Sequence, residues 1–474
     1  MRRLTTDSAV YGLGQALGRA VQLLLVPVLT RLLVPAEFGV AELVSGYLAT
    51  AILVLVLGMD GSLARFFYQE PDREARRRMV SSSLAFRLAT AGAAALLLAG
   101  VAAPLAGSLL HGAAYAKYVR IGAATLPCTL LVMFCNDVLR VTFQPLKYVT
   151  LNIVQTVLVT ALSILFVGRF HLSTAGVLYG RLAGDAVAAV VGLALIRHSL
   201  GLKPSGGVLK RMLAYGAPTL PAAVAFAVIA GVDRFALQRT RSIEEVATYS
   251  VALRFYSVMT FAASAFHLAY GPFAYARANE PGAPRLFARV LVGYVALAAF
   301  GAMLVGLFAP EVLRLLVTRA YRPDAAALPA LLLAFAAVAL GAYTVVSIGI
   351  GLALKTPLLA VGAWTGALLG IAGQVLLTPR LGATGAAIAT LAGYAGVAVV
   401  TYALAQRVHP MPYRAVRAAA LFALALALAV VAQRFAPAGV AGVAARLAAL
   451  AAFAATCWRL RVWTERGAVA VTAA

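Results

Sequence analysis

An apolar run long enough to cross a bilayer begins near Ala9 and then begins again, about fourteen times in all, before Leu460. A helix in water needs a polar face, and a chain that is 63% hydrophobic and 12% charged has too few polar groups to give one to every segment. The runs are therefore membrane-crossing elements. A β-barrel is excluded, because its strands alternate apolar and polar residues, whereas LATAILVLVLG from Leu48 and LFALALALAVV from Leu421 are apolar on every side. Helices are the remaining way to satisfy a backbone in lipid.

The expected spans are 9–30, 38–58, 83–107, 119–140, 146–168, 173–196, 212–237, 248–275, 286–308, 325–350, 356–378, 382–405, 413–433 and 438–460. Each is near the length that crosses a ~30 Å hydrocarbon core. With these marked, 474 residues leave short loops and no soluble domain. Met1-Arg2-Arg3 is a basic start of the kind that precedes a signal peptide, but Val21 to Pro35 carries bulky residues and an arginine where a small-residue cleavage site belongs. The first span reads as a retained helix.

A net charge of +24 would suggest nucleic acid for a soluble protein. Here the basic residues lie mainly between spans, where they set orientation, and no nucleic-acid partner is expected. With the N-terminus inside, inward loops hold about 23 of the 40 Lys and Arg, at Arg73 to Arg78, Arg197 to Arg211, Arg277 to Arg289, Arg407 to Arg417 and Arg459 to Arg466. Both termini are then cytoplasmic. The run Arg73, Arg76, Arg77, Arg78 reads as a topology determinant against anionic headgroups, worth ~1 kcal/mol per residue, with no specific partner required.

Three cysteines, Cys128, Cys135 and Cys457, show no CxxC spacing, and of five histidines only His267 falls within a span. Neither a disulfide framework nor a metal site is expected. There is no GxxxxGK[ST] phosphate loop, and no loop is long enough to carry the acidic residues of a membrane enzyme. No cofactor and no enzymatic activity are expected.

The chain divides at RHSLGLKPSGGVLKR (197–211), a polar connection with six spans before it. SAVYGLGQAL from Ser8 and MLAYGAPTLP from Met212 open the two halves alike, each passing from Tyr-Gly into a long helix, and LVPAEFGVAEL from Leu33 matches SIEEVATYSVAL from Ser242 loosely. Even span counts make these parallel repeats about an axis normal to the membrane, an arrangement suited to alternating access. The expected organisation is an N-lobe over 1–200, a C-lobe over 201–408, and a C-terminal helix pair with a short tail over 409–474.

Thr30-Arg31-Leu32-Leu33, Pro35, Glu37-Phe38-Gly39, Leu57-Gly58 and Ala64-Arg65-Phe66, followed in the seventh span by Val232-Asp233-Arg234-Phe235 and then Thr248-Tyr249-Ser250, resemble the polysaccharide transporters. These are the Wzx-type lipid-linked oligosaccharide flippases of the multidrug/oligosaccharidyl-lipid/polysaccharide exporter superfamily. The resemblance covers the whole chain in span count and in a 6 + 6 + 2 layout. It implies movement of an undecaprenyl-diphosphate-linked glycan from the inner to the outer leaflet of the bacterial cytoplasmic (inner) membrane. The product would serve O-antigen of lipopolysaccharide, capsule or exopolysaccharide, with membrane lipids, a polysaccharide polymerase and a chain-length regulator as partners. It also implies that the last two helices help to form a groove for the prenyl tail.

A diphosphate and a glycan crossing an apolar core need a wet cavity with cationic groups, and arginine binds phosphate through two parallel donors. An arginine near the bilayer centre costs ~2.5–3.5 kcal/mol, so each one needs a reason. Candidate substrate-binding residues are Arg19, Arg87, Arg181 with Asp185, Asp233 with Arg234, and Arg254. Arg19 shares a face with Gln15 and Gln22 beside Gly12, Gly14 and Gly18; a cavity role and a bond to a neighbouring helix both fit. Arg181 and Asp185 stand i, i+4 and can neutralise each other, which favours structure. Asp233 and Arg234 point about 100° apart, so one must find a partner elsewhere; snorkelling of Arg234 to the interface is the alternative. Arg254 suits either a pair with Asp233 or cargo. Arg87 reads as snorkelling from near the cytoplasmic surface and Arg446 as outside the repeat. Asn136, Asp137 and Arg140 read as a helix-end ion pair ahead of a headgroup entry site.

Two relatives of the same superfamily compete. A multidrug extruder would use an intramembrane acidic site, and here carboxylates are outnumbered by arginines. A lipid II flippase differs in cargo alone. Coupling to an H+ or Na+ gradient through Asp60, Asp185 or Asp233 and uncoupled flipping both remain open.

Overall fold

The computed structural model describes residues 25–460 and 462, apart from residues 111, 202, 279 and 436–438. Among the described residues every regular element is helical. Residues 25–32 end one helix. There follow α1 (Pro35–Leu55), α2 (Met59–Gln69), α3 (Arg73–Gly100), α4 (Ala102–Leu109), α5 (Ala116–Val141), α6 (Pro145–Gly168), α7 (Ser173–Ile196), α8 (Gly206–Gly216) and α9 (Leu220–Thr240). The chain continues as α10 (Ile243–Arg277), α11 (Ala283–Leu307), α12 (Ala309–Leu316), α13 (Pro323–Leu352), α14 (Pro357–Val408), α15 (Ala415–Phe435) and α16 (Val440–Arg459).

Eleven helical segments among the described residues are long and apolar enough to cross a membrane. One of them, α14, is two helices: Gly382 has φ 57° and ψ −133°, outside helical geometry, and the chain reverses there. Every expected span from 38–58 onward falls on a helix, while 9–30 lies outside the described residues except for its helical end. The starts are written locally. Proline occupies the first turn of α1, α6, α13 and α14, where its missing N–H costs nothing. Asp72 caps α3 by accepting from Ala75 N at 2.9 Å and Glu74 N at 3.3 Å, and these bonds hold its carboxyl below the usual carboxylate range.

The helices group into two compact units, one ending at Ala247 and one starting at Thr248, so the boundary falls inside α10. In the first unit α6 and α7 form an antiparallel hairpin sealed by glycines. Gly176, Gly180, Gly184 and Gly192 of α7 lie against Val167, Ser163, Val159 and Leu151, and a Cβ at Gly184 would stand 2.6 Å from Val159 N. This spacing of four keeps one face bare, so backbones meet closely where lipid gives no hydrophobic drive. α5 packs on both α7 and α3.

A second seam in this unit runs along α1–α2 and α8–α9. Gly46 faces Arg234, Gly231 faces Thr50, and Ser62 Oγ donates to Met212 O at 2.8 Å, so the two stretches are antiparallel. Leu57 and Gly58 break α1 from α2 with φ of 49° and 68°. A Cβ on Gly58 would meet Gly216 O at 2.6 Å, so position 58 requires glycine twice over, for its backbone and for its space.

In the second unit the halves of α14 form another glycine hairpin. Gly362, Gly366 and Gly373 face Thr401, Val397 and Ala389, and a Cβ on Gly366 would lie 2.6 Å from Gly393 O. α13 packs along α14, α11 and α12, while α15 and α16 close over α11. Phe287, Leu307, Phe335 and Phe453 are among the fully buried side chains of that core.

Candidate functional site

The expected charged residues of the first unit that the structure describes stand at three places, each built from more than one helix. On α3, Arg87 is 1% exposed, and its Nη2 donates to Asp137 Oδ2 on α5 at 2.7 Å. Asp137 Oδ1 also accepts from Arg140 Nη2 at 2.7 Å, so one carboxylate serves two guanidiniums. The Arg87 guanidinium lies 5.6 Å from the Phe134 ring centroid, and its Nε and Nη1 are buried without a hydrogen-bond partner among the described residues. Snorkelling does not describe this residue: it is enclosed, and its charge is answered from another helix. The expected Asp137–Arg140 helix-end pair forms as well.

The second place is Asp185 on α7, 1% exposed. Thr129 Oγ1 of α5 donates to its Oδ2, Gln155 Nε2 of α6 donates to its Oδ1 at 2.8 Å, and Arg181 Nε of α7 stands 3.8 Å from Oδ2. The expected i, i+4 pair is present, but the closer partners are two neutral donors from other helices. Both carboxylate oxygens are thereby satisfied in a buried setting, while Arg181 stays partly exposed. Such a centre fixes a carboxylate at the junction of three helices.

The third place is the seam of α1 and α9. Gly46 leaves room for the Arg234 guanidinium: a Cβ there would meet Arg234 Nη1, and the guanidinium would have to shift from its place over α1. Arg234 Nε is buried without a hydrogen-bond partner among the described residues. Asp233, 2% exposed, accepts from the Arg234 backbone N at 2.7 Å, and Tyr47 Oη donates to Gln238 Oε1 at 2.8 Å. Asp233 and Arg234 thus sit on a helix–helix contact, with Arg234 set over α1.

Arg254 belongs to the second unit, half-buried on α10 with its Nε enclosed. Arg19 lies outside the described residues. Arg446 on α16 is ion-paired with Glu311 on α12. Thr129, Gln155 and Tyr47 were not singled out by sequence reasoning, nor was Glu42, a half-buried carboxylate on α1. The signal for Gln155 and Glu42 was present, as lone polar residues inside apolar runs; Thr129 and Tyr47 carry none, because threonine and tyrosine sit in lipid-facing helices without comment.

The family profile described as "Polysaccharide biosynthesis protein" matches residues 4–269. None of the curated proteins matches the sequence. In fold the chain is similar to the lipid II flippase MurJ in an inward closed conformation, with a TM-score of 0.69 at 13% identity over 95% of this chain and 99% of that one. It is also similar to an inward-facing multidrug resistance MATE family transporter of the MOP superfamily, with a TM-score of 0.63 at 16% identity over 82% of this chain and 94% of that one. A mutant of the Vibrio cholerae MATE transporter VcmN gives 0.61 at 18% identity over 86% and 97%. At these identities the likeness is one of fold.

Proposed function

We propose, on the premise that this chain belongs to the polysaccharide biosynthesis protein family, that it is a multi-pass flippase for an undecaprenyl-diphosphate-linked oligosaccharide. The cargo moves from the inner to the outer leaflet of the bacterial cytoplasmic membrane by alternating access, for O-antigen, capsule or exopolysaccharide, and both termini are cytoplasmic. One observation carries the cargo class: Arg234 is a guanidinium inside a helix seam, given space by Gly46, with a buried Nε that no described residue uses. A fixed cation of this kind suits a diphosphate, whose charge must be met while it is out of water.

Arg87 and Arg181 differ from Arg234 in having carboxylates of their own, at 2.7 Å and 3.8 Å. Arg87 thereby ties α3 to α5 while Arg181 pairs within α7, and each reaches cargo only if its pair opens. Arg19 and Arg254 complete the proposed cationic set. If transport is coupled to H+ or Na+, Asp185 is the group we assign to it, since it is buried and held by donors from three helices.

Lipid II is the second reading, favoured by the likeness to MurJ over 95% of this chain. Deletion of the gene followed by mass spectrometry of undecaprenyl-linked glycans separates the two. Accumulation of a pathway-specific oligosaccharide with loss of one surface polysaccharide supports the proposal. Accumulation of the peptidoglycan precursor with arrest of growth replaces it by the second reading.

A further inference from the structure

The first turns of α3 and the connection between α7 and α8 lie about 120 residues apart in sequence, yet they are clamped together. Arg77 Nε donates to Leu200 O at 2.8 Å, Ser81 Oγ accepts from Gly201 N at 2.7 Å and donates to Gly201 O at 2.9 Å, and Ser82 Oγ accepts from Ser205 N at 2.8 Å. Ser81 and Ser82 are buried, so the clamp is part of the folded body and not a loose loop contact.

Beside the clamp is a concave pocket of about 980 Å³, lined by Arg77 of the clamp and by Arg73, Arg78, Arg197, His198 and Lys203, whose side chains the clamp does not use. Glu74 is the one carboxylate in that lining, and it is shared with Arg78 at 3.4 Å. Five permanent cations face one anion. A solvated basic helix end and a solvated basic connection would ordinarily drift apart, because like charges repel and water separates them easily. Here hydrogen bonds to the backbone hold them on one concavity, where their fields add and draw in a counter-charge. Guanidiniums on both walls favour phosphate oxygens, and the volume is that of a small-molecule site, larger than a single inorganic ion fills.

We propose that this pocket is a binding site for a phosphate-bearing lipid headgroup, which ties α3 to the connection between α7 and α8. The chemistry is that of a phosphate or diphosphate ester, available from an anionic phospholipid of the bilayer or from an undecaprenyl diphosphate carrier. The site rests on charge and geometry alone and does not depend on which cargo the protein moves.

The test is native mass spectrometry of the full-length protein with phosphatidylglycerol, phosphatidylcholine or undecaprenyl diphosphate. The wild type should retain at least one of the two anionic lipids over phosphatidylcholine; preference for phosphatidylglycerol assigns the bilayer and preference for undecaprenyl diphosphate assigns the carrier. R197Q/K203Q, on one wall, should weaken that retention about ten-fold, and R73Q/R78Q, on the other, should do the same. None of these four side chains is used by the clamp. R407Q/R459Q, an equal loss of charge outside the pocket, should change retention by less than about two-fold. Equal weakening by all three pairs would show diffuse surface attraction and overturn the site, as would full retention by both pocket pairs. Melting temperature, followed alongside, should be the same for all variants in phosphatidylcholine; a fall confined to the pocket pairs there would mean that these cations serve the fold, and would also overturn it.

Discussion

The two glycine hairpins are built alike and charged differently. Aligning the second helix of each by Gly176 with Gly385 and Gly184 with Gly393 brings Asp185 of the first unit onto Tyr394 of the second. At Asp185 a buried carboxylate gathers Thr129, Gln155 and Arg181 from three helices. At Tyr394 a phenol stacks on Tyr256 at 5.8 Å. Nearby, Gln374 donates to Ala386 O at 3.1 Å and accepts from Thr378 Oγ1 at 2.6 Å, a set of neutral groups that runs on through Thr390 to Tyr249 of α10. The same close packing therefore serves two ends. In the second unit it fixes helices around neutral polar groups, and in the first it fixes helices around a buried carboxylate.

The largest effect should be common to both hairpins. Gly184→Leu and Gly366→Leu each drive a side chain into the facing backbone, and overpacking of this kind costs about 1–3 kcal/mol or more. Both variants should lose folded protein from the membrane fraction in fluorescence-detected size exclusion. Survival of one and not the other would break the claim of equal packing. Asp185→Asn keeps the shape of the centre and removes its charge. It should abolish surface polysaccharide at normal membrane levels, whereas Tyr394→Phe leaves polysaccharide intact; equal defects would remove the contrast in function. The smallest effects should be on stability. Gln155→Ala leaves a buried carboxylate oxygen without its donor and should cost about 1–3 kcal/mol, against about 1 kcal/mol for Gln374→Ala, read as the difference in thermal melting. A reversed order would mean that the neutral network holds its hairpin more firmly than the charged one.

Much of this was legible because it is local. Bilayer-length apolar runs place the helices, and the i, i+4 spacing of Arg181 and Asp185 gives their ion pair. What sequence could not give is which helices meet. Arg87 looks like a snorkelling residue until Asp137, fifty positions later, is found 2.7 Å away. Gly46 looks like one small residue among many in an apolar run, and only the crossing of α1 and α9 shows that it makes room for Arg234. The helix that opens at Gly206 and carries the start of MLAYGAPTLP, α8, packs on α2 and α3, a contact that the likeness of this stretch to SAVYGLGQAL does not record. Adjacent turns of a chain are constrained by spacing, and contacts between distant helices are set by packing that no short motif records.

The central claim is that a cation in the seam of α1 and α9 meets an anionic cargo. Arg234→Ala, expressed in a deletion strain at wild-type membrane level, tests it most directly, with undecaprenyl-linked glycans measured by mass spectrometry beside surface polysaccharide. The account predicts accumulation of the lipid-linked glycan and loss of the polysaccharide. Wild-type amounts of both would contradict it.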